Sequence, residues 1–286
     1  MTFHLGCAIW SYKDWVGDLF PAGSRSRDFL SLYSRRFTTV EGNTTFYAVP
    51  DAATVRRWKA ETPDEFKFCL KLPRDISHQR SLMPQLAAAQ QFFDRVSLLE
   101  SRLGLLFLQL PPHYSPAQFD DLARFLQAWR PNVKLAVEVR HPDWFTAAQI
   151  EKLDRLLREL NVGRVLLDSR PIYQEAKTQF DTVPGALRDR RKPKLPLLPG
   201  LTADFTLIRY VSHPDRAKNA AFLTEWATHL QTWLPSTQIY FCVHCPIEVQ
   251  SPTNAHFVQQ VLEEQGVSVP RLPWDAIEQT AQLDLF

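Results

Sequence analysis

Seven apolar runs of the sequence are each interrupted, near their C-terminal ends, by a side chain that can do chemistry: Glu41 (with Asn43), Lys71, Gln109, Glu138 (with Arg140), Asp168, Arg209 and His244. Burying such groups one at a time costs several kcal/mol each, so they are expected to satisfy one another in a common site. Glu41, Lys71, Glu138 and Asp168 are the candidate catalytic residues. Glu41 and Glu138 could share acid and base duties if their surroundings drive their pKa values apart. Lys71 could neutralise them, grip a phosphate, or act as a nucleophile or electrophile once desolvated; a purely structural ion-pair lysine is the competing reading. Asn43, Gln109, Arg140, His141, Arg209 and His244 are candidate substrate ligands, because forked guanidinium groups and imidazoles suit phosphate or carboxylate. With Arg74, Arg80 and Arg170 close by in sequence, the expected site is cationic around acidic residues and favours an anionic substrate.

Metal chemistry has a thinner basis. In CVHC (242–245) an extended strand puts Cys242 and His244 on one face and Cys245 on the other, and a single C-x-x-C lacks the second pair of a structural zinc site. Cys7 and Cys69 read as strand packing. No metal ligand set is therefore assigned. The cofactor is unknown, with a divalent cation on Glu41, Glu138 and Asp168 left open and Lys71 competing for the same carboxylates. The chain has no G-x-S-x-G, P-loop or H-E-x-x-H motif. Trp10, Tyr12 and Trp15 after the first run, and Phe46 and Tyr47 after the second, could stack on a base or sugar; anchoring of the loops is the alternative.

Positioning these residues is the task of eight short runs rich in branched and aromatic side chains, at 3–9, 37–43, 66–72, 104–110, 134–140, 163–168, 204–209 and 238–244. Each reads as a buried strand. Helical patterns lie between most of them, at 84–102, 115–129 (Ser115 as cap, Pro116 just inside), 146–160 and 219–234. Strand and helix alternating at roughly 30–40 residue intervals predict an α/β fold, a single (β/α)8 TIM barrel with the polar residues at its catalytic face. A doubly wound sheet would normally carry a glycine-rich first turn, and LGCAIWSYKDWVG is not one. Residues 169–203 hold five prolines and predict an extended irregular loop after the sixth strand. The expected organisation is a barrel domain over 1–270 and a C-terminal tail over 271–286.

The length of 286 residues allows one large barrel or two smaller domains, and 45% hydrophobic with 22% charged residues describes a globular chain. A net charge of +2 demands no polyanion partner, so only local clusters can supply one. Four cysteines make no disulfide framework in a chain of this size, and neither a signal peptide nor a membrane span is legible, so the expected location is the cytoplasm. One basic cluster exists: Arg188, Arg190, Arg191, Lys192 and Lys194 fall in the long loop, on the predicted catalytic face, where they could contact phosphates without reading sequence. A solvated surface loop is the plainer reading. The last five residues, Gln282, Leu283, Asp284, Leu285 and Phe286, match the QL[SD]LF peptide by which bacterial repair and replication proteins dock on the sliding clamp. Leu285 and Phe286 would be the apolar anchors, unless the tail packs back on its own barrel.

These segments together resemble the YecE-like proteins, domain-of-unknown-function family 72. The resemblance is carried by GCAIWSYKDWVG, VEGNTTFYAVP, FKFCLKLPRDISHQR, FLQLPP, AVEVRHPDWF, VLLDSRP and LIRY, which span residues 5–210 nearly without a gap. It implies a TIM barrel and no established activity, and such barrels have been likened to metal-dependent endonucleases, an analogy of fold only. Glu41, Asn43, Lys71, Gln109, Glu138, Arg140, His141 and Asp168 fall on family motif positions. Where the broader family has an Asn-Asn-Asp-like turn after the last strand and His-Gly after the seventh, this chain reads CVHCPIEVQ and RYVSHP. The function expected is action on, or binding of, a phosphate-bearing and nucleic-acid-related substrate at the C-terminal face, with recruitment to the clamp. If catalytic, it would be a phosphodiesterase-like hydrolase using the carboxylates. The alternative is a lyase, isomerase or hydrolase for a small anionic metabolite.

Overall fold

A computed structural model describes residues 3–173 and 192–274. Nine parallel strands form one sheet among these residues: β1 (Phe3–Cys7), β2 (Thr39–Gly42), β3 (Lys67–Lys71), β4 (Leu103–Gln109), β5 (Leu135–Glu138), β6 (Gly163–Arg164), β7 (Leu166–Asp168), β8 (Phe205–Val211) and β9 (Gln238–His244). Their order is β6-β5-β4-β3-β2-β1-β9-β8-β7. The two ends of that order, β6 and β7, flank Val165 in the chain, and the Val165 amide still donates to the Val137 carbonyl of β5 at 2.9 Å. The sheet is thereby a nearly closed parallel barrel. The sixth apolar run gives two strand segments where the sequence predicts one, because β6 pairs with β5 and β7 with β8, with the switch at Val165.

Helices surround the sheet: α1 (Phe29–Tyr33), α2 (Thr44–Tyr47), α3 (Ala52–Glu61), α4 (Arg74–Ser77), α5 (Leu86–Val96), α6 (Phe119–Ala128), α7 (Ala147–Glu159), α8 (Ala220–Trp233) and α9 (Ser251–Glu264). Their starts follow local chemistry. Ser115 accepts from the Ala117 amide and shares a capping box with Gln118, with Pro116 in the first turn, leading into α6. Asp51 caps α3 by accepting from the Thr54 amide at 2.7 Å. No helix among the described residues is long and apolar enough to cross a membrane.

Period-two alternation divides each strand between two apolar layers. Val40, Leu70, Leu106, Val137, Leu166, Ile208 and Val243 join the layer packed on the helices. Cys69, Leu105, Phe107, Ala136, Val165, Phe205, Leu207, Tyr240 and Cys242 fill the barrel interior. Continuing the interior parity by two residues reaches Lys71, Gln109, Glu138, Arg209 and His244, all buried. The barrel is a packed core capped at one end by a polar layer.

Of the long loop, residues 169–173 and 192–203 are described; Arg170–Tyr173 form a short 3-10 turn, and 192–203 hold no helix or strand. The Ser169 hydroxyl donates to the Pro193 carbonyl at 2.8 Å, and the Tyr173 hydroxyl donates to the Lys192 carbonyl, so this stretch lies against the strand ends. Arg188, Arg190 and Arg191, together with the tail Gln282–Phe286, fall outside the described residues.

Candidate functional site

Arg209 is the hub of the polar layer. Its Nε and Nη2 grip Glu41 at both oxygens (2.7 Å to Oε2 and 2.6 Å to Oε1), and its Nη1 meets Glu138 Oε2 at 2.6 Å and Gln109 Oε1 at 3.3 Å. Its guanidinium carbon lies 5.5 Å from the centroid of the Phe107 ring, an aromatic contact inside the barrel. Arg140 Nε takes the other oxygen of Glu138 at 2.6 Å, and Asn43 Nδ2 bridges Glu41 Oε1 (2.7 Å) to the Ala8 carbonyl (3.0 Å).

His244 extends the network. Its Nε2 is 2.9 Å from Glu41 Oε2 and its Nδ1 is 3.2 Å from Lys192 Nζ. A protonated lysine can only donate, so Nδ1 accepts and the ring proton sits on Nε2, directed at the carboxylate. Burial outweighs the Glu41 charge, and with help from Lys192 it lowers His244 to about 4, so the ring is neutral at physiological pH. Lys192, expected in a basic cluster on the catalytic face, lies at the barrel mouth against His244. Of that cluster Lys194 is exposed.

The electrostatics follow from this wiring. Burial works against a charged Glu41, but Arg209 and His244 overcome it and hold the carboxyl well below the usual range. Burial likewise opposes ionisation of Glu138, and Arg209 with Arg140 still brings it down to about 2. Both carboxyls are driven toward the same ionised form, so their environments do not separate them into an acid and a base.

Lys71 stands apart. It is 6% exposed, and among the described residues its ammonium has neither a hydrogen bond nor an ion pair; its contact is the Phe46 ring of α2, 3.7 Å from Nζ to the centroid. Burial and then Arg209 depress it to about 7. Burial and Arg209 do the same to Lys192. His78, just after α4, packs on Phe46 and is brought to about 4 by burial and Lys71. Charge counting gives two carboxylates balanced by Arg209 and Arg140. Among the described residues of the mouth, protonated Lys71 and Lys192 are the surplus.

The structure does not join two of the expected residues to this cluster. Asp168 accepts from Arg170 at both oxygens (3.0 Å each) and from Trp226 Nε1 of α8 at 2.9 Å. The cause is parity: Asp168 is two residues from Leu166, which packs on the helix layer, so it faces outward. His141 accepts from the Asp143 amide at 3.2 Å and caps the short turn that follows. The first-run aromatics serve as anchors: Trp10 packs on Trp58 and Phe68, and Trp15 is fully buried against Phe20 and Tyr33.

One residue escaped the sequence reading. Glu248, in the turn after β9, has a buried Oε1 with no hydrogen-bond partner among the described residues, and burial pushes its carboxyl up to about 7. Its signal was an acid next to apolar Ile247 and Val249, off the strand pattern that drew attention to the others.

A divalent cation does not fit the carboxylates expected to hold it. The Arg209 guanidinium lies between Glu41 and Glu138, Asp168 faces the other way, and no group of three or more His, Cys, Asp or Glu able to hold a metal ion occurs among the described residues.

A parallel barrel whose mouth carries a buried arginine–carboxylate cluster and two surplus lysines defines the class of protein. Within that class the chain belongs to the family described as "Protein of unknown function DUF72", whose profile matches residues 4–277. It is 36% identical over 275 residues to the UPF0759 protein YecE of Escherichia coli K12, covering 94% of this chain and 97% of that one. It is 28% identical over 152 residues to the UPF0759 protein YunF of Bacillus subtilis 168, about half of each chain. Crystal structures of DUF72 proteins from Enterococcus faecalis and Thermotoga maritima share the fold, both with TM-score 0.67, at 16% and 18% identity. Each superposition covers 92% of this chain, with 96% and 100% of the respective relatives.

Proposed function

We propose that the barrel mouth binds and transforms a small phosphate-bearing anion, with Lys71, Arg140 and Lys192 as its ligands. One observation carries this reading: the Lys71 side chain is 6% exposed and its ammonium has no ion-pair partner among the described residues, beside an Arg140 that spends only Nε on Glu138. A protein that keeps such a group uncompensated pays for it in stability, and an anion supplies the missing charge. Glu41, Glu138 and Gln109 then hold Arg209 in place rather than trading protons. Orthophosphate titrated calorimetrically into the full chain tests the reading. Binding should weaken at least about tenfold in Lys71→Met and in Arg140→Ala, since a charge-assisted contact contributes about 1.5–3 kcal/mol. Absence of any phosphate binding by the wild type overturns it.

A second reading has its own support in the QLDLF tail and the basic run. Here the phosphate belongs to nucleic acid and Gln282–Phe286 recruit the protein to a sliding clamp. Clamp binding by the full chain, lost on removal of residues 282–286, supports it. So does a salt dependence of nucleic-acid binding that flattens when Arg191, Lys192 and Lys194 become alanine. The turn of Lys192 onto His244 favours the small anion, because that ammonium faces the mouth rather than a passing backbone.

A further inference from the structure

A cation that needs only to hold a phosphate does so well as an arginine, which keeps its charge when buried. At Lys71 the chain instead places a primary amine, at the C-terminal end of β3, where the strand parity turns it into the barrel. The elements around it explain why no carboxylate among the described residues pairs with it. Glu138 gives one oxygen to Arg209 and the other to Arg140, and Glu41 is shared among Arg209, His244 and Asn43. The Thr45 hydroxyl donates to the Lys71 carbonyl at 2.6 Å, fixing its backbone, and the Phe46 ring supports the side chain from one side. The amine is held among fixed cations, with no acceptor of its own among the described residues.

We propose that Lys71 is a covalent catalyst that forms an imine with the carbonyl carbon of an aldehyde or ketone whose anionic group is held by Arg140 and Lys192. The proposal rests on the anion-binding reading above and deepens it by naming the reacting group of the substrate. In the step, the neutral amine nitrogen adds to the carbonyl carbon. The carbonyl oxygen takes up a proton while nitrogen gives one up, leaving a carbinolamine. Loss of that hydroxyl with the second nitrogen proton as water gives the neutral imine, so amine plus carbonyl yields imine plus water. No oxidant, reductant or metal enters.

The chemistry suits the surroundings. An amine reacts only when unprotonated. Burial and the neighbouring Arg209 bring Lys71 to about 7, so at neutral pH it carries on the order of a thousandfold more free amine than an exposed lysine near 10.4. Arg140, the second cation that depresses it, is also one of the two that would attract an oxo acid or a phosphorylated sugar and orient its carbonyl.

Pyridoxal 5′-phosphate, an aldehyde bearing a phosphate, is the probe. The full-length protein is mixed with it at substoichiometric concentration, reduced with borohydride, digested, and mapped by mass spectrometry, with and without excess orthophosphate. Lys71 should carry the adduct at least about tenfold above any other lysine, and orthophosphate should suppress it. The Lys71→Arg variant should lose both the adduct and the imine absorbance. Wild-type mapping decides even if that variant folds poorly. Adducts spread over exposed lysines, with orthophosphate still bound by calorimetry, overturn the imine and leave the anion reading intact. A Lys71 adduct that orthophosphate does not suppress supports the imine and overturns the phosphate-binding reading.

Discussion

Arg209 and Glu41, 168 residues apart in sequence, meet as a two-pronged ion pair at 2.7 and 2.6 Å in the interior of the barrel, and neither is more than 1% exposed. The pair ties β2 to β8 across the mouth. Removing one partner of a buried pair leaves an uncompensated charge, which typically costs about 3–5 kcal/mol. Glu41→Gln should lose stability of that order in urea unfolding, and His244 would lose its carboxylate acceptor as well. A loss below about 1 kcal/mol with the fold retained would mean that the pair contributes nothing to holding the mouth together.

Lys71 sets up the opposite expectation. Its value in the folded chain is lowered to about 7, so between about pH 7 and 10 the unfolded chain binds the extra proton and stability rises with pH. Below 7 both states carry the charge and the penalty is complete. Lys71→Met should therefore raise the stability at pH 6 by a few kcal/mol, while the gain shrinks toward pH 10. Thermal unfolding across that range checks it; a variant less stable than the wild type at pH 6 contradicts the picture of an uncompensated ammonium.

Anion binding should draw protons in. A bound phosphate raises the affinity of Lys71 and Lys192 for protons above their lowered values of about 7. At pH 8 the complex should take up close to one proton or more, and affinity should fall as pH rises through 7 and beyond. Titrations in buffers of differing ionisation enthalpy measure the uptake directly. Proton release, or none, would place the phosphate elsewhere.

Much of this arrangement could be read from the residue pattern. The apolar runs mark the strands, and a polar residue two positions beyond an interior one marks the site at Lys71, Gln109, Glu138, Arg209 and His244. Asp168 shows where the pattern misleads. It ends its run as the others do, but the β6–β7 switch at Val165 fixes a parity that sends it outward, and a one-residue difference in phase reverses the face. The pairing of acids with Arg209 was not legible, because partners 71 to 168 residues apart are chosen by barrel closure. Lys192 shows the same limit: the basic run could be placed on the catalytic face, but its contact with His244, 52 residues away, could not be read.

Asp168 consequently serves as a test of separation between framework and site. Asp168→Asn weakens three contacts from Arg170, one of them from its backbone amide, and one from Trp226, and should cost about 1–3 kcal/mol of stability. Orthophosphate affinity should stay within about twofold, since none of the mouth cations contacts this carboxyl. A large loss of affinity with little loss of stability would return Asp168 to the site.

Glu248 supplies a slope of the other sign. Burial raises its carboxyl to about 7, so between about pH 4.3 and 7 the folded chain holds a proton that the unfolded chain has released. Its contribution is complete below 4.3 and is lost as pH climbs through 7, just where the contribution of Lys71 and Lys192 begins to recover. Glu248→Gln keeps the shape without the charge. It should match the wild type near pH 4 and exceed it at pH 8 by on the order of 1–3 kcal/mol. Urea unfolding of the two proteins at pH 4.5, 6 and 8 measures the difference, and curves that stay parallel would show that Glu248 ionises as an ordinary exposed acid does.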